Sequence, residues 1–300
     1  MKLDAIGFGA LNLDKLYRVN AIAREEEESF IIDLRESPGG SAANTIVGLA
    51  RLGLKTGFIG KVAEDREGEL LLEDFGNENV DVSGIVISKK GRSGVVIGYV
   101  DAKGQRALYV DPGANDLLAF DEMDLEYASD TEFLHLTSFV GKRPFEAQKK
   151  LIKTLSDTKI SLDPGALYAR KGLISLKPII GRSLVMFPNV NEVSLLTGES
   201  YEKGARILMK EGVSIVAVKL GDRGCYVTDS KESYLVGPYK AKAVDTTGAG
   251  DAFCAGFLYG LIRKKDLYEC GRLGNFVASR CIPKIGARTG LPRLADLRNM

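Results

Sequence analysis

An α/β fold built on a doubly wound, mostly parallel sheet flanked by helices is what this sequence predicts, and three observations carry the prediction. Short apolar runs of buried-strand length alternate along the chain with longer runs of helical period. The 300 residues are 45% hydrophobic, enough for a full core, and no apolar run reaches the length of a membrane span. Two stretches break the alternation in the same way, each reading as paired extended strands.

Each element follows from its local pattern. Leu3 to Phe8 is the first core strand, and Leu16 to Glu36 follows as extended chain on either side of the charged tip Arg24-Glu25-Glu26-Glu27-Glu28, a solvated turn. Ala43 to Leu52 reads as a helix, Thr56 to Gly60 as a buried strand and Gly68 to Glu78 as a second helix. Gly94 to Val110 is a hairpin turning at Asp101-Ala102-Lys103-Gly104. Beyond it the strands are Phe133 to Leu136, Lys159 to Asp163, Ser183 to Phe187 and Ile215 to Leu220. The helices are Pro144 to Ser156, Asn191 to Thr197, Tyr201 to Glu211 and Asp251 to Lys264. One domain, 1–300, is therefore expected, with a small β-sheet lid made by insertions at about 12–36 and 92–110.

Composition narrows the function. Lys and Arg number 41 against 40 Asp and Glu, a net charge of +1, which supplies no basic face for a nucleic acid. The opening Met1-Lys2-Leu3-Asp4 lacks the pattern of a secretion signal, so a cytoplasmic protein with no membrane partner is expected. Cys225, Cys254, Cys270 and Cys281 have no C-x-x-C spacing, which argues for buried free thiols over a zinc site or a redox pair. The one histidine, His135, falls inside a strand pattern and is assigned a structural place.

The chemistry concentrates in Asp245-Thr246-Thr247-Gly248-Ala249-Gly250-Asp251-Ala252-Phe253. Gly248 and Gly250, with Ala249 between them, let successive N–H groups converge on one point, a concavity that suits a phosphate. The helix that follows adds its free N–H groups and the positive end of its dipole. Asp251, on the first turn, would stay ionised there and accept a proton from an attacking hydroxyl. Taken alone, these residues describe a turn and an N-cap equally well. A second glycine pair shifts the balance. In Pro38-Gly39-Gly40-Ser41-Ala42-Ala43-Asn44 the glycines let a ligand approach the backbone, and Asn44 offers a donor and an acceptor from the start of a helix. That combination suits the hydroxyls of a small polar molecule.

Together the two stretches resemble the two signatures of the ribokinase-like, or PfkB, family of carbohydrate kinases, and the resemblance covers essentially the whole chain. In Gly7-Phe8-Gly9-Ala10-Leu11-Asn12-Leu13-Asp14, Asp14 matches the family's sugar-binding aspartate. The same run imitates a dinucleotide fingerprint, but Asn12 stands where the third glycine belongs and no helical run follows, so the NAD reading is discarded. No Walker-type G-x-x-x-x-G-K-[ST] occurs. The resemblance implies a ribokinase-like fold and ATP-dependent, magnesium-requiring phosphorylation of a hydroxyl. Asp251 would be the general base, with the amides from Thr247 to Gly250 stabilising developing charge. It also implies that Asp14, Gly39, Gly40, Asn44, Asn115 and Thr137 hold the acceptor.

Asn189-Val190-Asn191-Glu192 matches the family's N-x-x-E motif, whose glutamate organises magnesium; a helix capped by Asn189 with Glu192 as its third residue describes the same residues. By the same comparison Lys219, Gly221 and Gly224 border the nucleotide, although a glycine pair after a strand also marks a hairpin. Asn275 and the run Lys284-Ile285-Gly286-Ala287-Arg288 match the helix and loop that close the adenine pocket. Some members respond to potassium through carbonyls near Asp245 and the Gly286 loop, and Gly290 stands here where a serine is common.

The acceptor stays open. Ribose-specific members carry a lysine directly after the glycine pair and a glutamate after the strand holding His135; here Ser41 and Thr137 or Ser138 stand there. Fructose, another hexose, a nucleoside and a phosphorylated pentose such as ribose 1-phosphate all remain. Lys15, Arg106, Lys142, Arg143 and Arg170 are candidates to hold a substrate phosphate, and Tyr17, Phe30, Tyr99 and Phe139 to carry a nucleobase. ATP is the expected donor, with ADP or another nucleoside triphosphate as alternatives. The lid would exclude water during transfer, and pairing of lids would make a homodimer. A non-catalytic sugar or nucleotide sensor is the alternative from another class, and the intact Asp251 argues against it.

Overall fold

The computed structural model of the protein describes residues 2–300. The chain begins β1 (Leu3–Phe8), β2 (Asn12–Val19), β3 (Ile31–Gly39), α1 (Ser41–Arg51), β4 (Thr56–Ala63), α2 (Arg66–Asn77), β5 (Val80–Asp81), β6 (Ile85–Ser88), β7 (Gly94–Val100) and β8 (Arg106–Asp111). It continues α3 (Leu125–Ser129), β9 (Thr131–Thr137), α4 (Lys142–Thr154), β10 (Lys159–Asp163), α5 (Gly165–Ala169), α6 (Gly172–Ile180) and β11 (Ser183–Met186). It ends with α7 (Val190–Thr197), α8 (Tyr201–Lys210), β12 (Ile215–Lys219), β13 (Cys225–Thr228), β14 (Ser233–Val236), α9 (Ala249–Ile262) and α10 (Leu267–Cys281).

The main sheet has the order β14-β13-β12-β11-β10-β9-β1-β4-β5, with β6 also on β4. It is parallel from β5 to β12 and antiparallel through β13 and β14. β4 is buried along its whole length, as a strand covered by helices on both faces must be. β1 lies between β4 and β9, so the strand order reverses there and a crevice opens at the carboxyl ends. One apolar cluster, with Phe58, Phe187 and Phe257, fills one side of the sheet, and another, with Phe8, Leu136 and Tyr168, fills the other. Helices α1 and α9 pack closely, because a Cβ on Gly48 would lie 2.7 Å from the Cβ of Ala255.

A second sheet of four strands, β3-β2-β7-β8, stands apart from the first. Its two antiparallel hairpins join through the parallel β2–β7 pair, registered from Asn12 opposite Gly94 to Arg18 opposite Val100. Tyr17 stacks on Tyr99 across that pair, ring centres 5.5 Å apart. These strands are the two predicted insertions, extended to Gly39 and Asp111. Of the elements the pattern did not foretell, α5 spans five residues, α6 carries Pro178, and β13 and β14 are four residues each, whereas α10 is a full fifteen-residue helix that only the resemblance around Asn275 had implied. Among the described residues no helix is long and apolar enough to cross a membrane. The four cysteines are free and buried. His135 is buried with Nδ1 3.0 Å from Ser161 Oγ, and burial pushes the ring down to about 4, so it is neutral.

Candidate active site

A cavity of about 390 Å³ opens at the carboxyl ends of β1 and β9, roofed by the second sheet. A larger, shallower groove between α8 and the β13–β14 hairpin has charged walls but no helix start aimed into it. Five of the six predicted acceptor residues line the cavity, namely Asp14, Gly40, Asn44, Asn115 and Thr137, and Gly39 packs against the Asp14 carboxylate. Thr247, Gly248, Gly250 and Asp251 line the opposite wall.

The cradle is built by one left-handed residue. Gly248 has φ 76° and sits so close to the loop after α10 that a Cβ would be 2.6 Å from that of Ala287. The N–H of Thr247 donates to Asp245 Oδ1 at 2.9 Å, and that of Ala249 to the carbonyl of Thr246 at 3.2 Å. Ala249, expected in the cradle, therefore turns its donor inward, while Gly248 and Gly250 face the cavity at the first turn of α9, where N–H groups have no intrahelical carbonyl. Asp245 shapes this loop, since its other oxygen accepts from Gly286 N at 2.9 Å. Partial burial opposes its ionisation, but the donors from Gly286 and Thr247 and the charge of Arg106 outweigh that and hold the carboxyl below its usual range.

Asp251 meets α1 across the cavity floor: its Oδ2 accepts from Asn44 Nδ2 at 2.8 Å, and its carbonyl from Thr45 Oγ1 at 3.2 Å. Burial pushes the Asp251 carboxyl up to about 7; Asp163 adds to the rise, while Asn44, Lys219 and Arg288 oppose it. A carboxylate poised there suits general-base work at neutral pH. Burial also raises Asp14, to about 6, against the pull of Arg288.

Other predicted residues are held by contacts within the fold. Asn115 spends its amide on the backbone of Leu11, accepting from its N–H and donating to its carbonyl at 2.8 Å each, so it clamps the β1–β2 connection. Asn189 and Glu192 form a reciprocal capping box at the start of α7, and burial raises the Glu192 carboxyl against the pull of Lys219. Gly221 and Gly224 turn β12 into its antiparallel partner β13. Asn275 donates to the carbonyls of Val236 and Gly237 at 3.0 Å, which ties down the chain leaving β14 and leaves no donor for an adenine. Arg288, from the run matched to the nucleotide side, turns the opposite way, under Gly39 and Asn44.

Lys219 points its ammonium at Asp163 Oδ2, 2.6 Å away, just beneath Gly250. Burial disfavours that ammonium, but the Asp163 carboxylate beside it and Glu192 keep it charged. Asp163 was not foreseen, although a carboxylate ending a buried parallel strand, at the edge where such sheets bind ligands, is a readable signal. None of Lys15, Arg106, Lys142, Arg143 and Arg170 lines the cavity, and Lys15 is paired with Glu67 at 2.6 Å. Of the four aromatic candidates Phe139 alone lines it.

The sequence profile described as pfkB family carbohydrate kinase matches residues 8–294. A relative from Archaeoglobus fulgidus, described as an uncharacterized sugar kinase, is 47% identical over 253 residues, 83% of this chain and 100% of the relative. An ATP-dependent ribose-1-phosphate kinase from Halopiger xanaduensis is 31% identical over 94% of this chain and 92% of its own. Ribokinase from Thermotoga maritima superposes with a TM-score of 0.90 at 26% identity, covering 99% of this chain and 98% of that one. Ribokinase from Arabidopsis thaliana, complexed with ribose and ATP, gives 0.89 at 25% identity, covering 100% and 98%. Sequence, fold and the convergence of the two glycine motifs on one cavity agree: the chain belongs to the pfkB family of carbohydrate kinases and is a phosphotransferase that acts on the hydroxyl of a sugar.

Proposed function

We propose that the protein transfers the γ-phosphoryl group of ATP to a hydroxyl of a neutral sugar, with Asp251 as general base. The observation that carries this reading is the charge of the cavity wall: Asp14, Asp116 and Asp251 face it and no lysine or arginine lines it. Ionised carboxylates accept hydrogen bonds from hydroxyls and repel a second anion. Val96, Val110, Phe139 and Leu167 supply an apolar wall for the carbon face of a ring.

Asp14 and the backbone at Gly40 hold the acceptor, leaving one hydroxyl toward Asp251. Its proton passes to the Asp251 carboxylate as its oxygen bonds to the γ-phosphorus, and the bond from that phosphorus to the bridging oxygen of ADP breaks. The amides of Gly248 and Gly250 face the developing charge. Glu192 is assigned to hold magnesium through water, with further waters and the phosphates completing the ion's coordination. When bound, that ion neutralises charge on the β- and γ-phosphates. The nucleotide is assigned to the side of Lys219, Gly221 and Gly224, beyond Asn189 and Asn275. A potassium ion would rest on loop carbonyls beside Asp245, whose oxygens take donors from Thr247 and Gly286. A Cβ at Gly290 would lie 2.5 Å from the carbonyl of Cys281, so a serine has no room there.

A second reading, ribose 1-phosphate as acceptor, is favoured by the Halopiger relative. A coupled assay with magnesium and ATP over fructose, glucose, ribose, ribose 1-phosphate, cytidine, adenosine and inosine separates the two. The highest kcat/KM is expected for a neutral sugar, and a higher value for ribose 1-phosphate would overturn the neutral-acceptor reading.

The second sheet is assigned the part of a lid and of a contact between two copies. Leu34 and Tyr109 are exposed on the face of the sheet turned away from the cavity, beside the stacked Tyr17 and Tyr99, and exposed apolar side chains of this kind mark an interface. Sedimentation is expected to give a dimer that Leu34→Glu with Tyr109→Glu dissociates; a parent protein that sediments as monomer rejects the contact.

A further inference from the structure

The Arg288 guanidinium lies at the centre of the site's floor without touching the cavity. The residue is 8% exposed. Its Nε donates to Asn44 Oδ1 at 2.8 Å, one terminal nitrogen pairs with Asp74 of α2, and the other donates to the carbonyl of Gly39 at 3.3 Å. Its face lies over Phe75, 5.7 Å from the ring centre, and Arg51 holds its backbone carbonyl. One side chain thus joins α2, the glycine pair and the asparagine that touches the base.

A guanidinium has five N–H donors and no acceptor. The amide atom of Asn44 facing it must therefore be the oxygen, and the NH₂ must then face Asp251, where it donates to Oδ2. With Arg288 replaced, nothing prevents Asn44 from turning over and presenting its oxygen to Asp251. That arrangement has a bond only when Asp251 is protonated, whereas the present one favours the ionised carboxylate.

We infer that Arg288 is a positioning residue for the base: by fixing which face of the Asn44 amide meets Asp251, it keeps that carboxylate ready to accept the acceptor's proton. This rests on the reading of Asp251 as the base. The other titratable groups facing Asp251 are Asp163 of β10, Lys219 of β12, Cys254 of α9 itself and Cys281 of α10, and none of them touches Asn44's oxygen. Arg288→Lys keeps a cation for Asp74 but loses the planar fork that directs a donor at Asn44. The pair Arg288→Met with Asp74→Leu removes both charges together, an exchange that buried ion pairs commonly tolerate.

The test follows the titration of Asp251 in the full chain by ¹³C-carboxyl NMR, with the signal assigned by its loss in Asp251→Asn, beside the pH profile of ATP turnover with fructose and with ribose. In each variant the NMR midpoint is expected to rise by about one unit, and the acid limb of kcat/KM to rise with it. An NMR midpoint unchanged in both variants overturns the positioning role. A midpoint that rises while the pH profile stays put supports the Arg288–Asn44 lock and instead removes Asp251 as the base, so the two readings fail separately.

Discussion

Replacing Asp251 by Asn is expected to cut turnover by about 10²-fold to 10⁴-fold, the usual size of general-base assistance, while leaving acceptor KM within a few-fold. The amide can keep a contact with Asn44 but cannot take a proton. The same change is expected to stabilise the fold at alkaline pH. In an unfolded chain the carboxyl titrates near its ordinary 3.8, and in the fold near 7. The folded state holds that proton more tightly, so this group's contribution to stability is full below the unfolded value and is lost as pH rises through 7. Asn suffers no such loss. The variant should melt above the parent at pH 8, and the difference should fade by pH 4. Calorimetry at both values, beside a turnover assay, reads both effects; full turnover in a folded variant removes Asp251 from the chemistry.

Gly248→Ala is expected to lower kcat by about 10²-fold to 10³-fold, as loss of a transition-state donor does elsewhere. The left-handed backbone at φ 76° alone strains an alanine, by about 1–2 kcal/mol. The larger obstacle is steric, because the new Cβ would lie 2.7 Å from Ala287 Cα and 2.9 Å from its carbonyl oxygen, atoms of backbone that cannot swing aside. The cradle or the loop facing it must move, and the N–H groups of Gly248 and Gly250 lose their aim. Acceptor KM should change little, because Asp14, Gly40 and Asn44 lie on other elements. Gly250→Ala is the matched comparison: its backbone needs no left-handed angle, and the nearest atom to its Cβ is the flexible Lys219 Nζ at 3.4 Å. Equal losses in the two variants would mean that the left-handed turn is not what aims the donors.

Patterns confined to a short stretch were legible in the sequence. β1 and β10 were bounded as observed, since a buried parallel strand is a continuous apolar run between turn signals, and both glycine motifs reached one cavity. What stayed hidden was where polar side chains point and what they spend their hydrogen bonds on. Asn44 meets Asp251 across 207 positions of sequence and Arg288 across 244, so no local pattern reveals that its amide is committed at both ends. Asn115 and Asn275 were readable as polar residues in the right region, yet their amides serve backbone carbonyls. The Asp163–Lys219 pair was half seen, because a lysine ending a strand is visible alone and its partner lies 56 residues earlier.

The second sheet is wired to the first with almost no slack. Three residues connect β1 to β2, and Gly40 alone separates β3 from α1; Ala10 and Gly40, within those connections, line the cavity. A tilt of the second sheet therefore displaces the floor on which the acceptor rests, and acceptor occupancy and sheet angle become linked variables of a single equilibrium. An acceptor that fits one angle best is then bound with its intrinsic affinity scaled by the fraction of free protein already at that angle. Two sugars making identical contacts would differ in apparent affinity if they demanded different tilts, so discrimination among acceptors can reside in the hinge as much as in the wall.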